Sequence, residues 1–415
     1  MASKIDLSID ARFLIEKYLE ELGIKNYTLN TASALSKGDN YLGYVIKVEV
    51  KNNCDVVLYN WIVKSAPDND LIRSLTPIDA MYNREVFMYS EVFPLFKKFQ
   101  DDYNIVSPFH SFPKYYTSST KSPNECIIME DMNKLGYKLH SRQKSLNVDH
   151  IRLVMKEYGR LHALCFALKD KKPKLFQEIA EKLDDVTLNY KDIEYATEKE
   201  IRTCEKALAS LDPVKDKIVY EKFQNCLPNI KLRVKQLLKP EACENYGVFN
   251  HGDCWNNNIL FRYTQEEETF KPTDVCFIDW QLSRYGSPVF DLSYFLFTCT
   301  DTGTRRQYYD SFINDYYKSL STFLDRFGCN AENVFPFHVL QDHLKKFSLF
   351  GLYVAVQLLG VILKNSKDIP EDLLNLTSTK DAIQKYMFLN ELGKEYEVAI
   401  RAVLLDYNEY GYYFN

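Results

Sequence analysis

"NHGDCWNNNILF", residues 250 to 261, sets one His, one Asp and three consecutive Asn directly before an apolar, strand-like run. Asp253 and Asn258 stand five positions apart, and "FIDW" (277–280) puts Asp279 at the end of the next strand-like segment. A carboxylate that can take a hydroxyl proton, an amide oxygen that can ligate a cation and a second carboxylate for that cation are what metal-assisted phosphoryl transfer requires. Mg2+ takes hard oxygen ligands and only one or two protein carboxylates, which leaves positions for water and phosphate. Turn capping by Asp253, Asn256, Asn257 and Asn258 is the competing reading. A turn, however, needs no distant Lys or Asp in a set order, and this chain has both.

Upstream, Lys64 ends the apolar run "NWIVK" (60–64), where an ordinary strand-end lysine would keep its head in water along its stem. In series with the loop it reads as a neutraliser of phosphate charge, held by Glu85 on the following helix. Glu91 competes for that place, and Arg84 and Glu91 fit solvated helix positions equally well. The segment "SKGDNYLGYVIKVEV" (36–50) is expected to cover nucleotide phosphates, with Gly38, Asp39 and Asn40 at its turn. Gly38 and Gly43 have P-loop spacing, but Tyr44 and Val45 stand where Lys and Ser/Thr are required, so a P-loop is excluded. A plain hairpin turn is the alternative there. In "CIIMEDMNKL" (126–135), the backbone of Glu130 to Met132, flanked by Met129, offers the donor and acceptor an adenine edge uses. The same residues also fit a buried strand meeting a helix cap. His251 reads as structural, and Asp291 as a cap for the helix after it that also braces the loop.

Around these residues the chain changes period. Residues 41–50 and 55–66 are β-branched and aromatic, joined by "KNNC", and predict an antiparallel hairpin. A helix is expected over 78–96, ending at Pro94 or just beyond, then strands at 112–119 and 125–131. Helical spacing begins near 133, and the charged stretch 169–239 predicts several surface helices. Short strands are expected at 257–263 and 275–281 before helices resume. The plan is α+β: a small N-terminal lobe with an antiparallel sheet and one main helix, then a larger, mostly helical C-terminal lobe.

Composition narrows the function classes. A chain of 415 residues, 46% hydrophobic, is large enough for two lobes and a sizeable core. A net charge of −5 gives no basic footprint for nucleic acid, which is not expected as a partner. Ten cysteines without CxxC pairs or zinc spacing fit a reducing compartment. The start, "MASKIDLSIDARFLIEKYLEELG", reads as a capped amphipathic helix and not a signal peptide, so a cytoplasmic location is expected. The most apolar run, "LFGLYVAVQLLGVIL" (349–363), is shorter than the ~20 residues a membrane span needs and reads as a buried helix. No obligate protein partner is evident.

These residues resemble the kinase-like superfamily that joins aminoglycoside phosphotransferases, choline kinases and eukaryotic protein kinases. More narrowly, "GDNY", "HGDCWNNNILF", "FIDWQLSRYGSPVFDLSYFLF" and "GRLHALCFAL" are similar to the ecdysteroid kinase-like (CHK kinase-like) family. The resemblance implies a bilobal protein-kinase-like fold, with a nucleotide-binding lobe over 1–130 and a catalytic and acceptor-binding lobe over 131–415. The hinge would lie near 129–134 and a helical insertion near 169–239. It implies ATP and Mg2+ as cofactors, and as substrate a hydroxyl of an apolar small molecule, an ecdysteroid or a xenobiotic. Carried over, Asp253 is the catalytic base and Asn258 and Asp279 are the Mg2+ ligands. Lys64 and Glu85 anchor phosphate, and Met129, Glu130 and Met132 hold adenine. "HGDCW" in place of H-R-D, and "IDWQ" in place of D-F-G with no A-P-E, argue against a regulated activation loop and protein substrates. Tyr294, Phe295, Tyr308, Tyr309, Phe312, Tyr316 and Tyr317, with Phe347, Phe350 and Tyr353, are the candidates for an aromatic acceptor pocket, and most fit core positions. A choline- or aminoglycoside-type acceptor, or a non-catalytic ligand-binding protein of the same architecture, are the alternatives.

Overall fold

The structure, a computed structural model, describes residues 7–34, 43–141, 144–186, 194–266, 269–364 and 392–414. It opens on α1 (Ile9–Glu21), where the Ser8 hydroxyl accepts the Ala11 N–H at 3.1 Å. Ala11, Ile15 and Leu19 recur every four residues and are fully buried, so one stripe of α1 is committed to the sheet beside it. That sheet holds β1 (Tyr27–Ser33), β2 (Tyr44–Asn52), β3 (Val57–Ser65), β4 (Tyr115–Ser119) and β5 (Cys126–Glu130) in the order β1-β2-β3-β5-β4, antiparallel throughout.

The two-residue period of β3 decides what each face does. Trp61 and Val63 join Val48, Ile128 and the α1 stripe in one apolar cluster, while Ile62 and Lys64 point the other way, into a cleft. Burying such side chains is worth about 1.5–3 kcal/mol each. A one-residue slip would expose Trp61 and drive Lys64 into the α1 cluster, so the apolar face fixes the register that aims the lysine. The expected hairpin is present. β1 extends the sheet beyond it: its apolar residues are few, Tyr27, Leu29 and Ala32, as an edge strand permits.

Next come α2 (Asp70–Leu75), α3 (Ile78–Phe87), a π-helical turn at Met88–Val92 and α4 (Phe93–Asp102). The expected stop at Pro94 does not occur. The wide turn before it shifts the hydrogen-bond ladder, and Pro94 falls in the first turn of α4, where a missing N–H leaves no bond unmade.

The larger lobe contains β6 (Tyr137–Leu139), α5 (Val148–Lys171), α6 (Pro173–Ala180), α7 (Glu194–Ala209), α8 (Lys217–Cys226) and α9 (Ile230–Leu237). The short strands β7 (Val248–Asn250), β8 (Ile259–Glu266), β9 (Thr269–Phe277) and β10 (Arg284–Gly286) follow. The chain continues through α10 (Val289–Cys299), α11 (Thr302–Asp325), α12 (Ala331–Val334), α13 (Phe337–Ile362) and α14 (Lys394–Glu409). β8 and β9 form a hairpin extended by β6, and β7 pairs with β10. α5 lies close against α11 at Gly159, where any Cβ would press on Tyr316 O. The charged stretch is helical as expected, with α7 and α9 against α13.

α13 is 26 residues long, longer than the apolar run within it, and by length and composition alone could cross a membrane. It packs in the core, with Leu340, Phe347, Leu352, Val356 and Leu359 buried. α14 is bound to α11 by Asp406, fully buried, which accepts from Arg305 Nε at 2.9 Å, Arg306 Nε at 3.0 Å and Thr302 Oγ1 at 2.9 Å. All ten cysteines are free thiols; Cys54 is exposed and the rest are buried. The architecture is the expected α+β, bilobal, kinase-like one.

Candidate active site

The cleft between the sheet and the β8–β9 hairpin collects residues from many separate stretches of chain. Val45, Ile62, Lys64, Glu85, Met129, Glu130, Met132, Asn257, Asn258, Leu260, Ile278 and Asp279 are among its walls, around a cavity of about 180 Å3. Strand register explains the grouping. Val45 pairs with Lys64, and Ile62 pairs with Met129, so these side chains share one face of the sheet. Across the cleft Ile259 pairs with Phe277, and the ladder runs one step further as Ile278 N donates to Asn258 O at 3.0 Å. Asn258 and Asp279 therefore leave the hairpin side by side.

Lys64 Nζ lies 2.6 Å from Glu85 Oε2 and 2.6 Å from Asp279 Oδ1. Glu85 is fully buried on α3, and Lys64 is only 7% exposed. Burial opposes the charge on Lys64, but the carboxylates of Asp279 and Glu85 outweigh it and hold the ammonium protonated well beyond the ordinary lysine range. Burial also pushes the Glu85 carboxyl up, against the pull of Lys64. Of the two candidate partners for Lys64, Glu91 is exposed and Glu85 makes the pair.

Asp279 has φ 65°, a left-handed conformation that Asp tolerates better than most residues. That turn swings its carboxylate out of line with β9 and over to Lys64. Gln281 Nε2 donates to its other oxygen at 3.3 Å. Asp253, half-buried, accepts from Asn258 Nδ2 at 2.8 Å on Oδ2 and from the Tyr294 hydroxyl at 2.7 Å on Oδ1. Burial, then the nearby charge of Asp279, raises the Asp253 carboxyl to about 6, with the Tyr294 and Asn258 hydrogen bonds pulling the other way.

The loop that carries Asp253 is held from α10. Asp291, fully buried, accepts His251 N at 2.8 Å, Gly252 N at 3.0 Å and the Cys254 thiol at 2.9 Å. It does not cap its own helix: it lies inside α10 and braces the loop. Burial alone would raise the Asp291 carboxyl, but its hydrogen bond with His162 and the other donors hold it below the usual range. His251 is buried, which lowers its pKa and keeps the ring neutral. Its Nε2–H donates to Ile278 O at 2.9 Å and Nδ1 accepts Asp253 N at 3.2 Å, so the histidine ties the loop to the Asp279 strand.

Of the sequence candidates, Lys64, Glu85, Asn258 and Asp279 line one cavity with Met129, Glu130 and Met132, and Asp253 adjoins it through Asn258. Gly38, Asp39 and Asn40 lie outside the described residues. Phe295, Tyr309, Phe312, Tyr316 and Phe347 are buried in the core, and among the aromatic acceptor candidates Tyr294 touches Asp253.

Several contributors escaped the sequence reading. Arg84 is buried, not solvated: its guanidinium donates to Asp184 O at 2.7 Å, Asp184 Oδ1 at 2.7 Å and Ser283 O at 2.6 Å, which locks α3 to the segment after Asp279. Gly252 has φ 87°, and a Cβ there would collide with Leu282 O, so only glycine fits between His251 and Asp253. The glycine was visible as a signal, being the one residue of its loop with neither a polar nor an apolar side chain. Arg84 left none.

A family model described as the ecdysteroid kinase-like family matches residues 37–329. This chain belongs to the ecdysteroid kinase-like family. The matched span takes in Lys64, Glu85, Asp253, Asn258, Asp279, Asp291 and Tyr294, and stops before α12. A 4-hydroxytryptamine kinase of Psilocybe cyanescens is similar over a short segment, 32% identical over 72 residues. That segment is 17% of this chain and 19% of the length of that relative.

Proposed function

We propose that this protein is an ATP- and Mg2+-dependent phosphotransferase that moves the γ-phosphoryl group to a hydroxyl of an apolar small molecule, an ecdysteroid or a xenobiotic. The observation that carries the reading is the placement of Lys64 Nζ at 2.6 Å from both Glu85 and Asp279, in the same cavity as Asn258. A lysine needed only for stability has no reason to be ringed by acceptors at the mouth of a cleft.

The donor set suits the cation. Asn258 gives its N–H to Asp253, which leaves the carboxamide oxygen for a metal, and Asp279 stands beside it with a carboxylate ion-paired to Lys64. These are hard oxygens, one of them a carboxylate, as Mg2+ prefers. Bound there, the ion would neutralise charge on the β- and γ-phosphates. Lys64, steadied by Glu85, would hold the α- and β-phosphates. The backbone from Met129 through Glu130 to Met132 would face the adenine, at the hinge between the two lobes. Asp253 would orient the acceptor hydroxyl and take its proton as the acceptor oxygen bonds to the γ-phosphorus. The bond to the β-phosphate oxygen breaks in that step, and ADP leaves.

The test is incubation with ATP, Mg2+ and a panel of ecdysteroids, sterols and hydroxylated alkaloids, read by mass spectrometry for an added phosphate. Hydroxytryptamines belong on the panel because of the relative's name. Transfer that disappears in Asp253→Asn supports the reading; no transfer to any member, with no ATP binding, overturns it.

A further inference from the structure

Asp253 is anchored twice by one helix. Asp291 and Tyr294 are three residues apart on α10 and so share a face. Asp291 holds the backbone N–H groups of His251 and Gly252, the two residues before Asp253. Tyr294 reaches the carboxylate itself, its hydroxyl 2.7 Å from Oδ1. The main chain and the side chain of Asp253 are thus set by consecutive contacts along a single rigid element.

The two hydrogen bonds on the carboxylate are not equivalent. Asn258, which donates to Oδ2, belongs to the same loop and has a second duty toward the cation in the reading above. Among the described residues the Tyr294 hydroxyl bonds Asp253 alone; the residue is 4% exposed, and the Thr298 hydroxyl bonds its carbonyl at 2.8 Å within the helix. Arg284 and Phe350 stand behind it, with the guanidinium 5.2 Å from the Phe350 ring and that ring 6.4 Å from Tyr294. Burial and the Phe350 ring together restrict the tyrosine side chain.

We propose that Tyr294 is a positioning residue that fixes the orientation of the Asp253 carboxylate, so that an acceptor hydroxyl meets the oxygen lone pairs Tyr294 and Asn258 leave open. The proposal rests on Asp253 being the base of the reaction proposed above. Misplacing a reacting group, or losing a residue that orients one, costs about 10- to 100-fold in rate.

The experiment compares wild-type protein with Tyr294→Phe, which keeps the ring and removes only the hydroxyl. Crystal structures of both give the Asp253 carboxylate orientation. ATP binding in Mg2+ gives affinity, and transfer to whichever ecdysteroid the wild type accepts, with ATP hydrolysis as the second rate, gives turnover. Expected are a rotated or doubly populated carboxylate, ATP affinity within about twofold, and kcat lower by about 10- to 100-fold. An Asp253 carboxylate that keeps its place in Tyr294→Phe overturns the proposal, as does wild-type kcat in that variant. Should the wild type transfer phosphate to nothing, the proposed function fails while the carboxylate orientation still decides the role of Tyr294.

Discussion

Lys64 Nζ and Asp279 Oδ1 meet at 2.6 Å across 215 positions of chain, one from the sheet of the small lobe and one from the end of β9. The contact closes the cleft from both sides: Asp279 draws the lysine down while Glu85 holds it from α3. In the proposed reaction, a cation held by Asp279 would compete for the same carboxylate, which would free Lys64 for phosphate.

Removing the lysine separates its structural from its functional part. In Lys64→Met the buried Glu85 loses its cationic partner, and breaking such a pair costs roughly 3–5 kcal/mol. Chemical denaturation is expected to show a loss of that order, with turnover abolished. Lys64→Met together with Glu85→Leu is expected to recover much of the stability and none of the turnover.

Turnover is expected to fall on the acid side. The Asp253 carboxyl is raised to about 6 by burial and by Asp279, and a base works only when ionised, so kcat/KM declines as pH drops through that value. Neutralising Asp279 removes one cause of the rise. Increasing Mg2+ is therefore expected to move the acid limb to lower pH, and a limb that stays put in a Mg2+ series would show that Asp279 is not where the ion binds.

Arg84 is expected to act on nucleotide binding from outside the cleft. Its three hydrogen bonds keep α3 against Ser283 and the exposed Asp184, so Arg84→Gln leaves the buried Ser283 carbonyl unpaired at about 1–3 kcal/mol. With α3 loosened, Glu85 no longer holds Lys64 in place. Calorimetric titration should show weaker ATP binding in this variant although residue 84 lines no part of the cavity.

Asp291 makes stability depend on pH. Its folded carboxyl lies below the ordinary range, so the stabilisation it provides is complete above the unfolded pKa near ~3.9 and is lost as pH falls through the folded value. Asp291→Asn is expected to unfold more easily than wild type at neutral pH, and the difference should shrink on acidification. A gap of constant size from neutral pH to roughly pH 3 would mean that the carboxylate charge is not what braces the loop.

Much of the fold was readable because it is written in local periods. The two-residue alternation of 44–52 and 57–65 and the three- and four-residue spacing of Ile151, Val154, Tyr158, Leu161 and Cys165 in α5 each depend on neighbours a few positions away. β1 was hidden because an edge strand needs few apolar residues, and the passage of α3 into α4 because a π-helical turn precedes Pro94 and places it in the first turn of α4.

The candidate site divides in the same way. The sequence by itself determined which residue types were present and in what order: Lys64, Glu85, Asp253, Asn258 and Asp279, with the strand ends that carry them. Only the tertiary structure decided that Glu85 and not Glu91 faces the lysine, that Arg84 is buried, that Asp291 grips a loop instead of capping a helix, and that Tyr294 bonds Asp253. The physical reason is distance along the chain. A period reports which face of an element is apolar, whereas a hydrogen bond between residues 41 or 215 positions apart exists only after apolar burial has brought their elements together.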